Sequence, residues 1–122
     1  MYVLKVSSHF DSAHRLLGYQ GACERPHGHT WRVQVSVAAE EVDEIGLALD
    51  FHELESIIDA VLSRLDHTML NDLPEFQNQN PTAENLARLI YHRVREKLPE
   101  KCRLLEVEVR ESDRFSATYR ED

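Results

Sequence analysis

Between Trp31 and Ala39 apolar and polar residues alternate, with Trp31, Val33, Val35, Val37 and Ala39 set against Arg32, Gln34 and Ser36. Successive side chains on a strand point to opposite faces, so this period of two predicts a half-buried β-strand. The pattern returns at Leu105, Val107 and Val109 against Glu106, Glu108 and Arg110 and predicts another. Ser112-Asp113 then reads as a turn, and Phe115 to Arg120 as a strand closing a hairpin. Tyr2 to His9, short and partly β-branched, reads as the first strand.

Between the second and third strands the period lengthens. Phe51, Leu54, Ile57, Ile58, Val61, Leu62 and Leu65 recur at helical spacing. Asp50 stands at the N-cap position with Glu53 three residues on, the signature of a capping box. A second amphipathic run uses Leu86, Leu89, Ile90, Val94 and Leu98, opened by Pro81-Thr82 and stopped by Pro99. The order β-β-α-α-β-β with a hairpin at each end predicts an α+β fold, a four-stranded antiparallel sheet with both helices on one face. Such a sheet leaves two open edges and an uncovered face, which association with further copies would hide.

Composition narrows the class. The 122 residues carry no internal repeat, linker or like-charge block, so one domain over 1–122 is expected. Fourteen Lys and Arg against 22 Asp and Glu give a net charge of −8, the wrong sign for a nucleic-acid binder. No apolar run approaches the ~20 residues of a membrane span, and Met1-Tyr2-Val3-Leu4-Lys5 lacks the pattern of a signal peptide. Two cysteines, Cys23 and Cys102, are too few for a disulfide framework, so a cytoplasmic location is expected. Seven histidines in so short a chain change the picture, because imidazole is the commonest metal ligand.

The sharpest local signal is His27-Gly28-His29. Residues i and i+2 of an extended segment project to one side, so both imidazoles can converge on one ion. His14, expected just after the first strand, is the third candidate, because pairing of strands one and two brings it alongside. Three neutral imidazoles with an open position form a recurrent catalytic zinc set, although a histidine-rich chain also produces such a triplet by chance. Cys23 lies four residues before His27; near a dication its thiol becomes a thiolate base or nucleophile, the alternative being a structural cysteine. Asp66-His67, after the first helix, reads either as a proton-transfer pair or as a solvated helix end. Glu111 continues the inward parity of Val107 and Val109, and an acid on that register needs a partner. Cys102, His9, His52 and His92 have no comparable context.

Taken in order, Ala13-His14-Arg15-Leu16, Cys23-x3-His27-Gly28-His29, Asp50-Phe51 with Leu54, Leu65-Asp66-His67 to Leu70-Asn71, Asn80-Pro81-Thr82-Ala83-Glu84-Asn85 and Val109-Arg110-Glu111 cover nearly the whole chain. Together they resemble the 6-pyruvoyl-tetrahydropterin synthase family, and within it the branch that makes 6-carboxy-5,6,7,8-tetrahydropterin for queuosine biosynthesis. The resemblance implies a tunnelling fold whose sheets close, three subunits at a time, into a twelve-stranded barrel. Two trimers then stack into a homohexamer with active sites between subunits.

Residue by residue, the resemblance makes His14, His27 and His29 the ligands of a zinc ion and Cys23 the proton-abstracting base. It makes Asp66 and His67 the pair supporting proton transfer, and Glu111 the carboxylate that anchors the pterin ring. Thr82, Ala83 and Glu84 match a segment lining the pterin pocket. The implied substrate is 7,8-dihydroneopterin triphosphate, and Arg15, Arg25 and Arg32 lie near the site in sequence as candidates for its phosphates. Some family members carry a glutamate near the cysteine and release 6-hydroxymethyl-dihydropterin instead. Here Glu24 directly follows Cys23, either as a sign of mixed activity or as a loop carboxylate.

Overall fold

The computed structural model describes residues 1–21 and 24–121. Four strands, β1 (Tyr2–His14), β2 (His27–Ala39), β3 (Cys102–Arg110) and β4 (Ser116–Tyr119), form one sheet in the order β1-β2-β3-β4. Every neighbouring pair is antiparallel. Two helices, α1 (Phe51–Ser63) and α2 (Ala83–Lys97), lie between β2 and β3 in the chain and pack on one face of the sheet.

Local chemistry explains where the helices begin and end. Asp50, in extended conformation, accepts the His52 N–H at 2.8 Å; this takes the place of the reciprocal capping box expected from Glu53. Thr82 caps α2 by accepting the Asn85 N–H. Leu98 is forced extended by the proline after it, so α2 stops there. The buried stripes of α1 (Leu54, Ile58, Val61, Leu62) and α2 (Leu86, Ala87, Ile90, Val94) close over Trp31, Val33, Val35 and Val37 of β2 and Val107 and Val109 of β3. Each such side chain taken fully out of water contributes roughly 1.5–3 kcal/mol.

Two strand readings need correction. β1 runs on past His9 to His14, so His14 is the last residue of the strand and does not follow it. The strict parity of Leu105, Val107 and Val109 also fails at one end. The β2–β3 register shifts between Ser36 and Val37, so Leu104 pairs with Val37 and is buried while Leu105 is only half-buried. A bulge inserts one residue and exchanges the two faces, which periodicity alone does not reveal.

The connection from α1 to α2 is long but tied down. It contains two single-turn 3-10 helices, Leu70–Asp72 and Pro74–Phe76. Arg64 grips the Glu75 carboxylate with two nitrogens at 2.7 and 2.8 Å, and Arg93 approaches the same carboxylate at 3.6 Å. The Arg64 hydrogen bond is the main reason that Glu75 has its pKa pulled down to about 2. At the start of the same connection, Met69 bridges Ala13 in parallel and Thr68 O accepts the Ala13 N–H. The segment therefore covers the outer edge of the last part of β1. Among the described residues, no helix is long and apolar enough to cross a membrane.

Candidate metal centre

The register of the first hairpin assembles the site. His14 stands directly opposite His27, and Ser12 opposite His29, so the three imidazoles project from one face of two paired strands. Beyond β3, Glu111 reaches the same place: its Oε1 lies 2.8 Å from His29 Nε2. The ligand atoms of His14, His27, His29 and Glu111 all fall within 4.8 Å of one another. Trp31, fully buried, floors the group, with its ring centroid 4.9 Å from that of His14 and 5.2 Å from that of His29.

Hydrogen bonding fixes which nitrogens face inward. His14 Nδ1 lies 2.7 Å from Pro81 O, and His27 Nδ1 lies 2.7 Å from Arg25 O. A carbonyl oxygen only accepts, so each Nδ1 carries the proton and each neutral ring presents a bare Nε2. Those two Nε2 atoms are 2.9 Å apart. Burial, partly opposed by the Pro81 hydrogen bond, holds the His14 pKa below its ordinary value. Burial likewise lowers His29, against the pull of Glu111. His29 Nε2 is itself buried and, despite its closeness to Glu111, lacks a partner with hydrogen-bond geometry. Converging neutral nitrogens with an orphaned third beside a carboxylate are what a borderline cation satisfies, so the residues present fit a metal ion.

The segment after β1 is held by side-chain amides. Asn71 accepts the Arg15 N–H and donates to Arg15 O, and Asn80 does the same for Leu17. Each asparagine thus mimics a strand partner. Thr82, Ala83 and Glu84 begin α2 immediately after Pro81, whose carbonyl accepts from His14 Nδ1.

Asp66 and His67 are not part of this group. They lie along the outer edge of β1, where Asp66 Oδ1 accepts the Asp11 N–H and His67 donates its own N–H to Asp11 O. Asp66 Oδ2 sits 2.8 Å from His67 Nδ1. The Asp66 hydrogen bond raises the His67 pKa, while the Asp11 N–H, then His67, lowers that of Asp66. His67 adopts a positive φ of 54°, a conformation sparsely populated outside glycine, and its ring is exposed. Cys23 lies outside the described residues. Cys102 is half-buried, and burial raises its thiol pKa.

Sequence reasoning missed three contributors. Trp31 follows His29 at the same-face spacing and could have been placed beneath the trio on that ground. The carbonyls of Pro81 and Arg25 carry no signal, because any residue offers one.

A small α+β sheet protein with a histidine–carboxylate group fit for a metal ion is the class that these observations define. The 6-pyruvoyl tetrahydropterin synthase family model matches residues 3–122, and the chain belongs to that family. It is 33% identical over 127 residues to the 6-carboxy-5,6,7,8-tetrahydropterin synthase of Bacillus subtilis, covering 98% of this chain and 85% of that protein. It is 35% identical over 106 residues to the dihydroneopterin monophosphate aldolase of Pyrococcus furiosus, covering 87% and 86%. Among solved structures, 6-pyruvoyl tetrahydropterin synthase of Caenorhabditis elegans superposes with a TM-score of 0.87 at 25% identity, over 99% of this chain and 96% of that one. The architecture is the tunnelling fold of these pterin-processing enzymes.

Proposed function

We propose that this chain is a zinc-dependent lyase of the cytoplasm that converts 7,8-dihydroneopterin triphosphate and one water to 6-carboxy-5,6,7,8-tetrahydropterin, acetaldehyde and triphosphate, a step of queuosine biosynthesis. The observation that carries the reading is the convergence of His14, His27 and His29, with the Nδ1 atoms of the first two on backbone carbonyls and Glu111 beside the third. Relatives named for the 6-carboxy product support the choice of reaction.

A zinc ion held by the three imidazoles supplies Lewis acidity that makes the substrate's side-chain hydroxyls and neighbouring C–H bonds more acidic. Cys23 removes a side-chain proton as thiolate. His67, its ring nitrogen engaged by Asp66, carries protons during tautomerisation and triphosphate elimination. Glu111 anchors the pterin, whose paired N–H groups match a carboxylate two to one. Thr82, Ala83 and Glu84, at the start of α2, line the pterin pocket. The odd-numbered backbone groups of β1 before Asp11 face an open edge, and pairing there closes several copies into a barrel, a hexamer of two trimers with sites between subunits.

Incubating the zinc-loaded protein with 7,8-dihydroneopterin triphosphate should give the 6-carboxy pterin by mass together with acetaldehyde. No pterin product would overturn the reading. Glu24, adjacent to Cys23, favours a second reading, release of 6-hydroxymethyl-dihydropterin, for which a glycolaldehyde-type by-product is the marker.

A further inference from the structure

Of the three arginines that lie near the metal group in sequence, two share a cleft. Arg15 and Arg25, with Gly21, Glu24 and Pro26, line an open hollow of about 810 Å³. Arg15 follows the ligand His14, and Arg25 offers its carbonyl to the ligand His27, so both are fixed to the framework of the trio. Arg32 instead lies on the helix-free face of the sheet, in a separate groove with Ser7, Gln34, Glu108 and Arg110.

The two guanidinium groups differ from most others in this acidic chain. Arg64, Arg93, Arg95, Arg110 and Arg120 each sit within 4 Å of a carboxylate. Among the described residues neither Arg15 nor Arg25 forms such a pair, and Arg15 Nε is buried without any hydrogen-bond partner. A buried guanidinium N–H left unmatched is costly and rare, because its alternative in water is well hydrated. The Arg15 backbone is meanwhile clamped on both sides by Asn71, so the head group is presented by a rigid stem.

We infer that Arg15 and Arg25 form a polyphosphate subsite that reads the length of the substrate's phosphate chain. The inference rests on the proposed function for the identity of the substrate, although the cleft itself is tested without turnover. A single terminal phosphate carries about −1.5 to −2 charges and is matched by one forked guanidinium. A longer chain brings further anionic oxygens and needs a second cation at a distance, which Arg25 supplies across the cleft. Glu24 lies in the same hollow and works against an anion. The relative from Pyrococcus furiosus is named for a monophosphate, against the triphosphate of the function proposed here.

The probe is inorganic tripolyphosphate, titrated calorimetrically into the zinc-loaded full chain with zinc content checked afterwards. Arg15→Gln and Arg25→Gln should each weaken binding by about tenfold or more, the loss of one charged hydrogen-bonding group. Glu24→Gln should tighten binding, and Arg32→Gln should leave it unchanged. With the pterin substrates, Arg25→Gln should raise KM for the triphosphate with kcat within about twofold, and should erase any preference over the monophosphate. Wild-type affinity in both arginine variants, or an equal loss in Arg32→Gln, would overturn the subsite. Should Arg15→Gln fail to fold, Arg25→Gln on its exposed loop decides alone. A wild-type protein that binds tripolyphosphate through these arginines yet turns over no pterin would sink the proposed function and leave the subsite standing.

Discussion

Metal removal gives the most direct test of the histidine group, because its effect reads as stability as well as activity. An ion bound only by the folded chain stabilises it by RT ln(1 + [L]/Kd), about 4 kcal/mol at a thousandfold excess over Kd. For a chain of 122 residues each kcal/mol moves Tm by roughly 4 °C, so zinc should raise Tm by about 15 °C over the stripped protein. His14 is 1% exposed and packs against Trp31, so His14→Ala also costs about 3 kcal/mol through the cavity it leaves. The informative quantity is therefore the difference with and without zinc within each protein. His14→Ala loses an Nε2 that stands 2.9 Å from that of His27, and its zinc-dependent shift should fall to a small fraction of the wild-type value. His67→Ala, whose ring lies outside the group, should keep the full shift. Scanning calorimetry with metal content measured by mass spectrometry checks all three. An undiminished response in His14→Ala, or no response in a wild-type protein shown to take up and release zinc, would refute the reasoning.

Three further outcomes follow from the same structure. Cys23→Ala should abolish turnover of the pterin substrate while leaving metal content and assembly intact; unchanged turnover removes the thiolate base from the mechanism. Asp66→Asn should lower the His67 pKa towards its ordinary value, since the Asp66 hydrogen bond is the main cause of its elevation, and NMR titration of the imidazole reads this directly. Glu75 has a folded pKa of about 2 against an ordinary 4.5, so its contribution is fully present above pH 4.5 and is lost as pH falls towards 2. That difference corresponds to at most about 3.4 kcal/mol and, discounted for the solvent around Arg64, to about 1–2 kcal/mol. Glu75→Gln should therefore lower stability by that amount at pH 7 and by little near pH 2, as urea unfolding at the two pH values will show.

The helices and β2 were legible because their burial is periodic, and a periodic demand leaves a periodic sequence. The hairpin and the triplet at His27 made the imidazole cluster legible too, since antiparallel pairing needs only a partner at the end of β1. The end of β1 itself was not legible. From Asp11 to His14 the strand carries polar residues because Ser12 and His14 are buried for hydrogen bonding and not for apolar contact; Ser12 donates to Leu65 O and His14 engages Pro81 O. Polar residues in a strand read as the strand's end. The bulge near Ser36 escaped for a different reason, since one inserted residue leaves both flanking patterns intact while exchanging their faces. The left-handed backbone at His67 has no signature at all, being imposed by the Asp11 carbonyl that its N–H must reach.

The two halves of the proposed chemistry hang on one strand but belong to different sides of it. Ser12 and His14 of β1 project to the helix-covered face, where the imidazoles meet over Trp31. Asp11 alternates with them and bonds Thr30 on the other side. Its carboxylate lies within 4.8 Å of Asp66 and His67, in a group separate from that of the histidines and Glu111. The strand itself thus lies between the histidine trio and the same chain's His67. The strand cannot turn to bring them together, because the Ala13 N–H is bonded to Thr68 O and the segment around it is locked by Asn71 and Asn80. Under the proposed function, His67 would reach a substrate held by the histidines of a second copy set against the edge of β1. The open edge of β1 and the separation of His67 from the histidine trio therefore make one prediction on that reading. A variant held monomeric should keep its zinc and lose turnover, and a fully active monomer would refute His67's proposed role.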